Sequence, residues 1–288
     1  MFKIHKPSEL LTKFQKYWVL LMEYLVFLLI GVMTGLLMAL FGIGGGAFIV
    51  PALDAAFLVV PNFEHPPFQL IVIGSLCTIV IGSLPRAIRV LASNRDERNV
   101  AKTLILSALP FIFLASIVAT QLTDFLLRIG FSLTIALIGL WTLFGKASST
   151  SGQPKSPQTK LIKLIIVGAI SGISSALFGL GGATLLMPLL TMWVALPIAM
   201  CVDISILFVA TTSLVSLITL STAWVGIHGS NSIDSTMITL ILLLGVSAAI
   251  TQTIAIGKLL KMKDIIRQRL LGCYLIILGI WVIFRLAN

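Results

Sequence analysis

The same apolar, glycine-interrupted segment occurs twice in this chain. Residues 31–53 (GVMTGLLMALFGIGGGAFIVPAL) align without a gap with residues 168–190 (GAISGISSALFGLGGATLLMPLL), and ten of the 23 aligned residues are identical. Further matches follow in the same order, such as Ser75 with Ser205. An internal repeat with interrupted hydrophobic helices is typical of secondary transporters. The repeat therefore predicts a fold built from two copies of one unit.

The composition indicates a membrane protein. The chain is 58% hydrophobic and only 10% charged, a balance that soluble domains of this length do not have. A bilayer crossing needs about 20 apolar residues, and four of the apolar runs are shorter, which leaves open whether they are tilted, half-length or re-entrant. We predict an all-α polytopic fold of two repeats with about five helical segments each. The apolar runs on which this prediction rests are 19–41, 43–59, 67–85, 103–122, 125–145, 161–178, 180–196, 197–225, 235–256 and 270–286.

The basic loops predict that the two units are inverted relative to each other. In the first unit the 3–4 loop (86–102) holds five Lys and Arg and the 4–5 loop (122–125) holds none. In the second unit the order is exchanged, with none in 226–234 and five in 258–269. Positive loops face the cytoplasm, so inversion of an odd-numbered unit predicts this exchange.

This topology sets the expected division of the chain. Residues 1–18 form a basic interfacial segment, 19–145 the first repeat, 146–160 a polar cytoplasmic linker and 161–288 the second repeat. The N-terminus is then outside, against the preference of its lysines for the cytoplasm.

Charge and composition also exclude other classes. The net charge is +10, but fourteen of the 20 Lys and Arg lie in the stretches 86–102, 146–163 and 258–269, between apolar runs. This is the positive-inside signal rather than a nucleic-acid surface. Three isolated cysteines and three histidines outside the apolar runs offer no metal site and no intramembrane catalytic group, so neither a cofactor nor an enzyme is expected.

The paired motifs FGIGGGAFIVP (41–51) and FGLGGATLLMP (178–188) resemble the TauE/SafE sulfite-exporter family, also called the toluene-sulfonate uptake permease family. The resemblance covers roughly residues 20–286. It implies a transporter in the bacterial plasma (inner) membrane whose partner is a small anion such as sulfite or a sulfonate. The two halves differ at two positions that matter here. The residue that aligns with Gly46 is Ala183, and the residue that aligns with Asp203 is Ile73.

The glycine clusters are the first candidates for the anion site: Gly44, Gly45, Gly46, Gly181 and Gly182. Glycines interrupt a helix and let a ligand approach the backbone. The helix that begins after each break points its unpaired N–H groups and positive dipole end at the gap, which binds an anion without a lysine. The alternative for small residues is close helix packing, which we favour for Gly31, Gly35, Ala39 and their counterparts.

Hydroxyl groups at matched positions are the second set of candidates, and they are Ser75, Ser83, Ser205, Thr212 and Ser213. Neutral hydroxyls can donate to a sulfite or sulfonate oxygen, although Ser and Thr in membrane helices often bond their own backbone instead. Asp203 lies inside an apolar run and is the candidate coupling residue for H⁺; Na⁺ is the other coupling ion left open.

We therefore predict a secondary transporter that works by alternating access. An anion channel and a non-transporting membrane scaffold remain as alternatives from the sequence. The oligomeric state is open, and a homodimer is compatible with the sequence.

Overall fold

The structure is a computed structural model that describes residues 7–41, 45–59, 66–92, 95–144, 157–229, 235–259 and 264–287. Within these ranges the chain forms ten α-helices and one π-helical segment, and no strand. The helices are α1 (Pro7–Phe41), α2 (Gly46–Val59), α3 (Phe68–Leu91), α4 (Arg95–Gln121), α5 (Asp124–Phe144), α6 (Pro157–Phe178), α7 (Ala183–Pro188), α8 (Ile198–His228), α9 (Ser235–Leu259) and α10 (Asp264–Ala287), with the π segment Leu189–Trp193 directly after α7.

The helices have the lengths and composition of a multi-pass membrane protein. Among the described residues, seven apolar helices are long enough to span a bilayer, and three more apolar helices are shorter. The short ones are Gly46–Phe57, Ala183–Trp193 and Arg269–Val282. These seven long and three short apolar helices confirm the predicted all-α polytopic fold. Many large apolar side chains on the outer helix faces are exposed, as lipid-facing side chains are expected to be.

The glycine breaks lie at the turns of two helical hairpins. In the first hairpin, Phe27 near the middle of α1 packs edge-on against Phe57 near the end of α2, with ring centroids 5.7 Å apart. In the second, Lys163 in the first turns of α6 donates to the carbonyl of Trp193 at the end of the π segment, at 3.0 Å. Each short helix therefore returns along the long helix before it.

Helix pairs in one half have counterparts in the other. Helix α1 packs on α9 as α6 packs on α4, and α3 packs on α9 as α8 packs on α4. Helices α3 and α8 pack on each other, as do α5 and α10. Exchanging each helix with the one five places along the chain reproduces these pairs, so the sequence repeat has a counterpart in the packing.

The matched packing extends to single atoms. Gly31 lies against the Leu244 carbonyl of α9, and Gly168 lies in the same way against the Leu104 carbonyl of α4. Each of these carbonyls also accepts a hydrogen bond from a serine one turn later, Ser247 at 2.9 Å and Ser107 at 2.8 Å. These glycines thus pack helix against helix, as the small-residue pattern predicts.

A methyl group at Gly168 should destabilise the fold because its Cβ would lie 2.5 Å from the Leu104 carbonyl oxygen. We expect Gly168→Ala to lower the thermal unfolding temperature in detergent. The free energy of unfolding should fall by roughly 1–3 kcal/mol, as at other overpacked sites. The matched control is Gly226→Ala, a helical glycine with no atom within 4 Å of the added Cβ. That variant should unfold at or above the wild-type temperature. Equal effects of the two substitutions would contradict the packing.

Candidate functional site

The two glycine breaks touch each other between α3 and α8. A Cβ on Gly46, the first residue of α2, would lie 2.6 Å from Leu180 Cα in the second break. A Cβ on Gly179 would lie 3.1 Å from Val72 of α3, and one on Gly182 would lie 2.7 Å from Phe208 of α8. Val72 lies one turn into α3, and Phe208 lies about three turns into α8. The hairpin tips therefore meet within the α3–α8 pair.

Backbone conformation requires glycine at these turns. Four of them have φ in the left-handed region, at 74° for Gly45, 66° for Gly179, 66° for Gly181 and 76° for Gly182. L-residues with a side chain rarely adopt these values. Gly45 and Gly182 occupy matched positions, each directly before the first residue of a short helix. Gly44, the remaining glycine candidate, lies outside the described residues.

Two predicted hydroxyls bind backbone carbonyls of the second break. Ser75 of α3 donates to the Gly179 carbonyl at 2.9 Å. Thr212 of α8 lies 3.2 Å from the Gly181 carbonyl and 2.8 Å from the Phe208 carbonyl of its own helix. The long helices thus stabilise the non-helical turn by supplying donors that an unwound backbone needs in an apolar setting.

Two other predicted hydroxyls bond their own helices. Ser205 donates to the Cys201 carbonyl at 2.7 Å, one turn earlier in α8. Ser83 lies 3.4 Å from the Val80 carbonyl in α3. This is the common back-bonding of serine in membrane helices. The matched serines 75 and 205 therefore make different contacts, and only Ser75 reaches a glycine break.

Thr34 of α1 and Ser171 of α6 are a matched pair that the sequence candidates omit. Both are fully buried, and neither hydroxyl has a hydrogen-bond partner among the described residues. A Cβ on Gly45 would lie 3.1 Å from Thr34 Cγ2, and one on Gly182 would lie 2.8 Å from the Ser171 carbonyl oxygen. Each break thus has, beside the glycine that directly precedes its short helix, a buried residue whose hydroxyl has no partner among the described residues.

Three more buried polar groups near the breaks are without a partner among the described residues: Thr184 Oγ1, Ser213 Oγ and Gln252 Nε2. A Cβ on Gly181 would lie 2.9 Å from Ser213 Oγ, so this predicted hydroxyl faces the second break. Thr184 is in the first turn of α7, and the Gln252 backbone packs against Gly35 of α1. Buried polar groups usually have partners, so a group of five marks this region as a candidate binding site.

A signal for the missed pair is present in the sequence. Thr34 and Ser171 align with each other in the repeat, in GVMTG and GAISG. The glycines in these two stretches predict close helix packing, and Gly31 and Gly168 do pack closely against α9 and α4. Thr34 and Ser171 belong to the same two stretches. Matched polar residues next to the breaks are therefore as informative as the glycines themselves.

Asp203 forms an ion pair with Arg86 near the end of α3. The guanidinium Nη2 donates to the carboxylate Oδ1 at 3.4 Å, and the side chains are 11% exposed for Arg86 and 37% for Asp203. The candidate coupling residue therefore lies at one end of the α3–α8 pair, in contact with a basic side chain from the opposite half of the chain.

A second ionic cluster lies at the other end of α3 and was not among the sequence candidates. Arg128 of α5 donates to Asp54 of α2 at 2.5 Å and to Asp124 at 2.6 Å. Asp124 also accepts the backbone N–H of Phe68, the first residue of α3, at 2.5 Å. The Arg128 guanidinium lies over the Phe68 ring, 5.3 Å from its centroid. The cluster joins the end of the first hairpin to α3 and α5.

Comparisons with known proteins agree with this architecture. The sequence profile of the family described as Sulfite exporter TauE/SafE matches residues 27–286. The chain belongs to the TauE/SafE sulfite exporter family. It is 26% identical over 219 residues to a probable membrane transporter protein of Methanocaldococcus jannaschii, an alignment that covers 74% of this chain and 78% of the relative. No solved structure matches the chain significantly. The family membership, together with the seven span-length apolar helices among the described residues, supports an integral, multi-pass membrane protein of a transporter family.

Removal of one partner from the Asp54–Arg128 pair should destabilise the protein more than removal of both. Arg128→Gln deletes the positive charge beside Asp54, whose side chain is 7% exposed, and a broken buried pair costs about 3–5 kcal/mol. The double variant Asp54→Asn/Arg128→Gln should recover much of the lost thermal stability. Arg89→Gln, an exposed arginine of α3, is the charge-matched control and should have little effect. A double variant no more stable than Arg128→Gln would contradict the pairing.

Proposed function

We propose that this protein is a secondary transporter that moves a small sulfur-containing or organic anion, of the sulfite or organosulfonate type, across a bacterial plasma membrane. The family supports the class of protein and of substrate. The observation that carries the proposal is the meeting of the two glycine breaks between α3 and α8, with buried unpartnered hydroxyls around them.

The tip of the first hairpin supports an anion site. The N–H groups of Phe48 and Ile49 both bond to the Gly45 carbonyl, at 2.9 and 3.0 Å. The preceding N–H groups, of Gly46 and Ala47, therefore have no acceptor within their own helix. Together with the positive end of the helix dipole they favour a negative charge beside the break. Thr34 provides a neutral donor at the same place.

Neutral donors fit the work of a transporter. A sulfite or sulfonate oxygen can accept from hydroxyl, amide and backbone N–H groups without a buried cation. A site of this kind binds strongly enough to replace the hydration shell and weakly enough to release the anion on the other side. We propose Gly44, Gly45, Gly46, Gly181 and Gly182 with Ser75, Ser83, Ser205, Thr212 and Ser213 as the binding region, and add Thr34 and Ser171.

Inverted repeats would give this site two equivalent routes of access. The matched helix pairs and the matched glycine contacts at Gly31 and Gly168 support a pseudo-two-fold axis through the α3–α8 pair. With the units in opposite orientations, each hairpin enters from its own side and the tips meet near the midplane. Movement of one unit against the other then exposes the anion to one side at a time.

Anion flux should weaken when the unpartnered hydroxyls are removed. We expect Thr34→Ala, Ser171→Ala and Ser213→Ala each to raise the apparent KM for sulfite about two- to tenfold, the value of one neutral hydrogen bond. The measurement is radiolabelled sulfite uptake into liposomes that contain purified protein. Ser221→Ala is the control, because the hydroxyl of this half-buried serine bonds the Ile218 carbonyl of its own helix, at 3.2 Å.

The same liposomes separate a carrier from a channel. Saturable uptake that unlabelled sulfite inside the vesicle accelerates is expected of alternating access, and a channel would show no such acceleration. Equal losses in the Ser221→Ala control and in the three site variants would contradict the site. No flux with sulfite in folded protein would direct the assay to larger sulfonates and carboxylates.

We propose Asp203 as the coupling residue, with H⁺ as the coupling ion. Its carboxylate pairs with Arg86, and protonation would remove the charge that links α8 to α3 through this pair. We expect Asp203→Asn to abolish the acceleration of sulfite flux by a pH gradient while leaving downhill flux measurable. The comparison is uptake with and without the gradient in wild type and variant. Gradient-driven acceleration that persists in the variant would remove Asp203 from this role.

A further inference from the structure

A cavity of about 260 Å³ lies between α3, α4 and α8, and none of the described glycines of the two breaks lines it. Its walls are aliphatic, with Leu84 and Ile88 from α3, Ala101 from α4, and Ala210 and Leu214 from α8. Leu84, Ile88 and Leu214 are 44–59% exposed, so the cavity opens on the lipid-facing side of the bundle. Its lining can accept a hydrocarbon chain.

Two cations line the same cavity. Arg98 and Lys102 are four residues apart on α4, on one helix face. Arg98 Nη1 donates to the Leu91 carbonyl at the end of α3, at 3.0 Å, which holds the guanidinium at that end of the groove. The acidic residues of the first turn of α4, Asp96 and Glu97, are not among the residues that line the cavity. The charge at this end of the groove is therefore positive.

The position of the groove fits a lipid rather than a soluble molecule. Arg98 and Lys102 lie near Asp96, where the span-length apolar part of α4 begins. Basic side chains at such a position reach the headgroup region. The loop before them belongs to the basic stretch 86–102, which the positive-inside rule places at the anionic cytoplasmic leaflet. An apolar groove that ends in two cations complements an acyl chain that ends in a phosphate.

We propose that the α3–α4–α8 groove is a specific site for an anionic phospholipid of the bilayer, with one acyl chain along the aliphatic walls and the phosphate at Arg98 and Lys102. The lipid would contact both long helices of the α3–α8 pair. Leu84 and Ala87, on either side of Arg86, and Leu207, one turn after Asp203, line the groove. Occupancy therefore stabilises α3 against α8 beside their ion pair.

The test compares lipids that differ only in the headgroup. Dioleoylphosphatidylglycerol and dioleoylphosphatidylcholine are titrated into the detergent-purified full-length protein, and bound lipid is counted by native mass spectrometry. Wild type should bind one phosphatidylglycerol with an affinity about thirtyfold above that for phosphatidylcholine, from the attraction of two basic side chains near an anionic group. The preference should fall as salt is raised.

Three variants assign the site. Arg98→Gln/Lys102→Gln should lose the preference for phosphatidylglycerol. Arg89→Gln, which removes one positive charge from an exposed position on α3 outside the cavity lining, should keep it. Ala210→Phe fills the groove and leaves both cations in place, so it should weaken binding of both lipids.

The outcomes separate the proposal from general surface attraction. Loss of the preference to the same degree in Arg89→Gln, or its survival in the Arg98/Lys102 double variant, would overturn the site. Equal affinity of wild type for the two lipids would overturn the role of the net negative charge of the headgroup. Thermal unfolding of each variant without added lipid checks that the protein is folded, and phosphatidylglycerol should raise the unfolding temperature of wild type and Arg89→Gln only.

Discussion

The contact between the two glycine breaks is the constraint on which the rest of the structure depends. Gly46 lies against the backbone of Gly179 and Leu180 so closely that no side chain fits between them. The left-handed conformations at Gly45, Gly181 and Gly182 turn the chain back at this point. Because the turns are tight and bare, two hairpins from different halves of the chain can reach the same place between α3 and α8.

Hydrogen bonding around this contact divides the polar groups into two kinds. Ser75 and Thr212 supply donors to carbonyls of the second break and so stabilise the unwound backbone. Thr34, Ser171 and Ser213 are equally buried and have no such partner among the described residues. The first kind maintains the turn, and the second kind is the one that we propose for binding the anion. A residue-type argument alone does not separate them, because all five are hydroxyls in apolar helices.

The ionic contacts break the symmetry of the repeat. Arg86 and Asp203 pair near the last residues of α3. Arg128 pairs with Asp54 and Asp124 beside Phe68, the first residue of α3. Neither the Arg86–Asp203 pair nor the Arg128–Asp54 pair is repeated in the other half, because Asp203 corresponds to Ile73 and Asp54 aligns with Thr191. Matched packing with unmatched charges gives one architecture two different ends, which is a physical basis for directional coupling in the proposed transporter.

The sequence by itself determined the membrane class, the apolar helical segments and the places of the breaks, because hydrophobic runs and glycine clusters act locally. It also indicated close packing at Gly31 and Gly168. Only the tertiary structure showed that the short helices fold back as hairpins, that Ser75 bonds a break while Ser205 bonds its own helix, and that Asp54 meets Arg128. The Ser75–Gly179 and Asp54–Arg128 contacts join residues 104 and 74 positions apart. Pairing over such distances follows from how the helices pack, which residue spacing along the chain does not encode.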